Sequence, residues 1–138
     1  MTIVLGYDES RPARAALETA ITMARRLGED LVFVYGAGVP GGASEEMAAQ
    51  RDAIEELGRA ALAGAVSRAE EAGVGFTVEL SGAKPVEALL GVAERYGATM
   101  IVVGSNGESP VRAAMLGAIP HKLLQATDRP VLCVPAAS

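Results

Sequence analysis

The chain has one cysteine, one histidine, no tryptophan and few aromatic residues of any kind, with three tyrosines and two phenylalanines among 138 residues. A lone thiol cannot close an internal disulfide, which excludes a disulfide-stapled scaffold and leads us to expect a reducing, cytoplasmic setting. One imidazole and one thiol also provide no cluster with the spacing of metal ligands. With aromatics at only 4%, the core must be built from Val, Ile, Leu, Ala and Met, which favours helices packed closely on a sheet. Basic residues are outnumbered, 12 Lys and Arg against 17 Asp and Glu, and the net charge of -5 carries no basic stripe. Nucleic acid and anionic membrane are therefore not expected as partners. No apolar run approaches the roughly 20 residues of a membrane span. Met1 leads directly into the short run Ile3-Val4-Leu5, so no signal peptide is expected.

What the chain does have is a 50% hydrophobic composition, enough to fill one core, and one domain over residues 1–138 is expected. Thr2 to Tyr7 is β-branched and apolar; Ser10 then offers an N-cap and Pro12 suits a first helical turn. Ala13, Leu17, Ala20, Ile21, Ala24 and Leu27 repeat at helical spacing up to Gly28. Leu31 to Tyr35 is a second strand, and Gly36 to Gly42 a glycine-rich loop. Ser44 opens a long helix whose apolar stripe runs through Met47, Ile54, Leu57, Ala61, Ala65 and Ala69 to a stop at Gly73. Its charges at Glu55, Glu56, Arg59, Arg68, Glu70 and Glu71 read as a solvated face. Phe76, Val78 and Leu80 alternate with polar residues, as in an edge strand. Lys84 to Tyr96 is a third helix, Thr99 to Val103 a continuously apolar strand, Ile119 to Ala126 a fourth helix, and Val131 to Val134 the last strand. Five strands alternating with four helices predict an α/β fold: a doubly wound, open, parallel five-stranded sheet of order 3-2-1-4-5. The topological switch then lies between strands one and four. Ligands bind outside the carboxyl ends of strands at such a point, where this chain has Tyr7-Asp8 and Gly104-Ser105-Asn106-Gly107.

The glycines of that second segment are followed, after nine residues, by Gly117 at a helix start. Glycine lets a backbone approach phosphate closely, and a helix N-terminus presents unpaired N–H groups with partial positive charge. Spacing alone equally allows that these glycines only make a turn and a close packing contact. Gly36-Ala37-Gly38-Val39-Pro40-Gly41 has the spacing of a dinucleotide fingerprint but lacks the helix that should open at once, and reads as a loop. Cys133 lies in an apolar run and reads as a small buried hydrophobe; His121 has no carboxylate paired with it and reads as structural or solvated. There is no phosphate loop of Gly-Lys-Ser/Thr type and no nucleophile elbow. No activated nucleophile or general base faces the glycine segment, so an efficient enzyme is not expected.

With Gly104, Gly107 and Gly117 at that spacing, Asp8 and Ser10 as an Asp-x-Ser after the first strand, and Asp128-Arg129-Pro130-Val131-Leu132 near the end, the chain resembles the universal stress protein family along its whole length. The resemblance implies an adenine nucleotide as ligand, ATP or another, with or without Mg²⁺. It places Gly6, Tyr7, Asp8 and Gly36 at the nucleoside and Val103, Gly104, Asn106, Gly107, Gly117, Ala118 and Ile119 at the remainder. Asp8 suits a ribose hydroxyl or a metal-bound water, and equally a cap on the first helix shared with Ser10. Two residues depart from the pattern: Ala118 stands where nucleotide-binding members have Ser or Thr, and Glu108 adds negative charge nearby. Pro120 removes one further N–H from that helix start. The Ser-Gly-Gly-x-Asp-Ser loop of related ATP pyrophosphatases is missing. The implied function is an ATP-binding regulatory protein of the stress response, acting as a homodimer through Val131–Val134. The alternative is a dimeric interaction module that binds no nucleotide.

Overall fold

In a computed structural model, residues 1–8, 10–36, 45–105 and 118–136 are described. They form β1 (Thr2–Gly6), α1 (Arg11–Leu27), β2 (Asp30–Gly36), α2 (Glu45–Ala72), β3 (Phe76–Ser81), α3 (Pro85–Tyr96), β4 (Met100–Gly104), α4 (Ala118–Ala126) and β5 (Val131–Val134). The five strands make one parallel sheet in the order β3-β2-β1-β4-β5, with Ile3 level with Leu31 on one side and Met100 on the other. The expected strand order and edge position of β3 are both borne out.

Each βα unit forms for local reasons. Ser10 caps α1: its hydroxyl accepts the N–H of Ala13 at 3.3 Å, and Pro12 sits in the first turn, where no N–H is needed. At the other end Gly28 takes a left-handed φ of 66° and returns its N–H to the carbonyl of Ala24. The buried face of α1 is mostly alanine, which brings the helix close to the sheet. There Ile3, Leu5, Leu31, Phe33 and Val102 pack against α1 and α2. On the opposite face Val4, Val32, Val34, Ile101 and Val103 pack against α3 and α4. The three inner strands are thus covered on both sides, which is why their sequences are apolar without alternation. Arg68 of α2 joins Glu18 of α1 through two hydrogen bonds of 2.6 and 2.8 Å and Glu71 through one of 3.0 Å. This guanidinium holds the Glu18 carboxyl below the usual carboxylate range.

Two readings from the sequence need correction. Cys133 is exposed rather than buried, because β5 is an edge strand with no neighbour beyond it and none of its four residues is fully covered. Among the described side chains of the α2 stripe, Ala61, Ala65 and Ala69 are buried, with Leu62 beside them, whereas Leu57 is 64% exposed and Met47 is only half-buried. A 28-residue helix is about 42 Å long, whereas a six-residue strand spans about 20 Å, so the first half of α2 extends beyond the sheet it would pack on.

Candidate functional site

The carboxyl ends of β1, β2 and β4 surround a cavity of about 230 Å³. Its floor is the strand ends Gly6, Val34, Gly36, Val103 and Gly104. One wall is the first turn of α1, with Ser10, Pro12 and Ala13, and the other is Pro85 and Leu89 of α3 with Ile119 of α4. This is the switch point anticipated from the strand order. Of the residues singled out in the sequence, Gly6, Tyr7, Asp8, Gly36, Val103, Gly104 and Ile119 all line it. Ala118 opens α4, and Asn106, Gly107 and Gly117 lie outside the described residues.

Tyr7 follows the last residue of β1 yet keeps the ladder going, since its N–H donates to the carbonyl of Val34 at 3.1 Å. Its ring is buried in the core toward α1 and α2. Asp8 is exposed at the rim, where its Oδ1 accepts the N–H of Ser10 at 3.0 Å. One carboxylate oxygen therefore helps to shape the turn into α1, while the same side chain borders the cavity. Asp8 is the one charged residue along the cavity among the described residues.

Two glycines have a packing role at the cavity. A Cβ on Gly36 would stand 2.9 Å from the Cα of Pro85 and 3.0 Å from the Cβ of Ala88, so its absence lets α3 close against the end of β2. A Cβ on Gly104 would lie 2.7 Å from Pro12 and 2.9 Å from the nitrogen of Ala13, so this residue is a contact point for α1, the packing role that its spacing left open beside the phosphate one. The lining residues missed by sequence reasoning are Ser10, read there as a helix cap, and Pro12, Ala13, Val34, Tyr35, Pro85 and Leu89. Those in helix first turns were discoverable in principle, because in a parallel α/β sheet every helix starts at the carboxyl edge where ligands bind.

Chemically the cavity suits a flat, largely apolar group with a polar edge. Apolar side chains provide its walls, while hydrogen-bonding capacity comes from the strand ends, Asp8, Ser10 and Tyr35. His121 is exposed on α4, and neither it nor Cys133 is among the lining residues. Among the described residues no group of three or more His, Cys, Asp or Glu is placed to hold a metal ion.

Comparison with known proteins agrees with this architecture. A universal stress protein of Methanocaldococcus jannaschii is 27% identical over 138 residues, covering 96% of this chain and 80% of that protein. Universal stress protein YxiE of Bacillus subtilis is 34% identical over 84 residues, a stretch that spans 61% of this chain and 57% of that protein. A crystal structure of a universal stress protein in complex with cAMP superposes with a TM-score of 0.77 at 27% identity, covering 99% of this chain and 98% of that one. Residues 1–135 match the model of the universal stress protein family, and the chain belongs to that family.

Proposed function

We propose that this chain is a regulatory protein that binds an adenine nucleotide in the cavity at the switch point. The observation that carries this reading is the direction of the main chain at Gly36. Because Val34 accepts the N–H of Tyr7, the even-numbered residues of β2 turn their N–H and C=O toward β1. Gly36 turns the same way, beyond the level of the Tyr7 N–H that still bonds Val34, and in this reading its donor and acceptor meet a ligand in the cavity that Gly36 lines. The Watson–Crick edge of adenine offers one acceptor and one donor, which a single residue's N–H and C=O can match. Guanine presents the opposite order at the corresponding positions. The apolar walls suit the faces of the base. The cAMP complex of a relative 27% identical to this chain supports the same class of ligand.

In this reading Asp8 meets a ribose hydroxyl or a Mg²⁺-bound water. The phosphates lie toward Val103, Gly104, Asn106, Gly107, Gly117, Ala118 and Ile119. With Ala118 at that helix start and Glu108 in that segment, ATP is held more weakly than a hydroxyl residue at position 118 would allow. Turnover is far below the roughly 1 to 1,000 per second of ordinary enzymes, and the protein acts in the cytoplasm through a change of conformation or partner. Its working form is a homodimer through β5. That edge is Val131-Leu132-Cys133-Val134, uncharged along its length, whereas the opposite edge has Glu79 on β3, held by Arg95 at 3.4 Å and by the Tyr96 hydroxyl at 2.6 Å. A charge on an edge strand discourages pairing with another chain, and an apolar edge invites it.

The test is calorimetric titration of the full chain with AMP, cAMP, ATP, adenosine and GMP. AMP and cAMP are expected to bind at least tenfold more tightly than GMP, since a mismatched edge leaves buried groups unpaired. Equal binding of AMP and GMP would remove the role of Gly36, and no heat with any of the five would favour the nucleotide-free interaction module.

A further inference from the structure

We infer that occupancy of the cavity and self-association through β5 are positively coupled, each strengthening the other. This rests on the nucleotide reading above and deepens it. The elements that bound the cavity on one side also hold the open edge. Val103 and Gly104 line the cavity, and in the sheet they pair with Cys133 and Val134 of β5. One residue further, Ser105 donates its N–H to the carbonyl of Val134 at 2.8 Å, so the backbone leaving β4 beside the cavity is tied to the end of the edge strand. α4 gives a further link: Ile119 faces the cavity, the helix packs against β5, and its Leu124 is 63% exposed. α1 supplies a third link, because Pro12 lines the cavity and fits against Gly104, and Leu132 and Val134 pack against the core that α1 covers.

β5 is the strand with the least hold on the sheet. It has four residues, none fully buried, and one neighbour, β4. A ligand seated on Val103, Gly104 and Ile119 orders the elements that support β5, and a second copy paired along β5 orders the same elements from the other side. Whichever event comes second then loses less conformational freedom, which gives positive coupling without a change of shape. Thermodynamic reciprocity requires the change in dimerisation free energy at saturation to equal the sum of the changes at the two cavities of the dimer.

Sedimentation of the full chain with and without AMP, alongside calorimetry, tests this. At saturating AMP the dimer dissociation constant is expected to fall about five- to tenfold, and GMP at the same concentration is expected to leave it unchanged. Cys133→Arg places a charge on the exposed edge position and is expected to raise that constant and to weaken AMP binding by up to about two- to threefold per site, the square root of the change in the dimer constant. Leu124→Glu, on α4, is expected to act in the same direction and guards against a folding defect in the first variant. AMP heat of normal size with unaltered sedimentation overturns the coupling alone. So does a parent that remains monomeric at all concentrations, or a pair of monomeric variants that bind AMP as the parent does. Absence of AMP heat overturns the nucleotide reading and the coupling with it.

Discussion

Gly36 combines two demands that usually compete at a ligand site. Its missing Cβ lets Pro85 and Ala88 of α3 approach, and in the proposed reading its N–H and C=O meet the edge of the base. The nearest atom a new Cβ would meet is the Cα of Pro85, at 2.9 Å, which cannot move without the helix. Gly36→Val is therefore expected to push α3 away and to destabilise the fold by about 1 to 3 kcal/mol, as overpacking does. The same displacement separates the Pro85 wall from the strand ends, so adenine binding falls by more than the loss of stability explains. Urea denaturation, with calorimetry at a temperature where the variant is still folded, measures the two effects separately. A stable variant that binds AMP normally would mean that neither the packing contact nor the main-chain reading is needed. From the sequence, Gly36 was recognised as a site position through resemblance alone. The contact that requires it lies across 49 residues, at Pro85, and no local pattern reports it.

At the scale of elements, the two edges of the sheet are treated differently. β3 alternates and bears Glu79, whereas β5 is short and wholly apolar. Glu79 has a measurable consequence: its carboxylate accepts the hydrogen bond of the Tyr96 hydroxyl and raises the phenol above its ordinary range, with burial adding in the same direction and Arg95 opposing. A phenol whose folded value is raised contributes stability that is present at neutral pH and is lost as pH rises through that value. In an alkaline titration followed by phenolate absorbance, one tyrosine should ionise late in the parent, be missing in Tyr96→Phe, and ionise earlier in Glu79→Gln. The stability gap between parent and Glu79→Gln should close as Tyr96 ionises. A Tyr96 titration unchanged by Glu79→Gln would show that burial, not the carboxylate, sets its behaviour. Helices were legible where caps and period agreed, as in α1 from Ser10 to Gly28. Leu57 of α2 was misread because helical spacing reports a face that can be buried, not whether a sheet lies beneath it.

For the molecule as a whole, the strand order was legible because it follows from a few physical constraints: parallel crossovers of one hand, continuous apolar strands inside and an alternating strand outside. The cavity was legible only in position. Its walls come from α1, α3 and α4, brought together by tertiary packing, and Cys133 was misjudged because burial at an edge depends on what lies beyond the chain. This architecture makes a last prediction about stability. The cavity joins β1, β2 and β4 with three of the four described helices, while β3 contributes no lining residue. A ligand that binds the folded chain and not the unfolded one stabilises it by about 2.7 kcal/mol at one hundred times its dissociation constant. For a domain of this length that corresponds to a rise in Tm of roughly 10 °C. AMP at that excess should produce such a rise, and GMP at the same concentration should not. Hydrogen exchange under the same conditions should slow most at the carboxyl ends of β1, β2 and β4 and in the first turns of α1 and α3, with β3 changing least. A uniform slowing over all five strands, with no preference for the cavity, would mean that AMP stabilises the fold from somewhere other than the switch point.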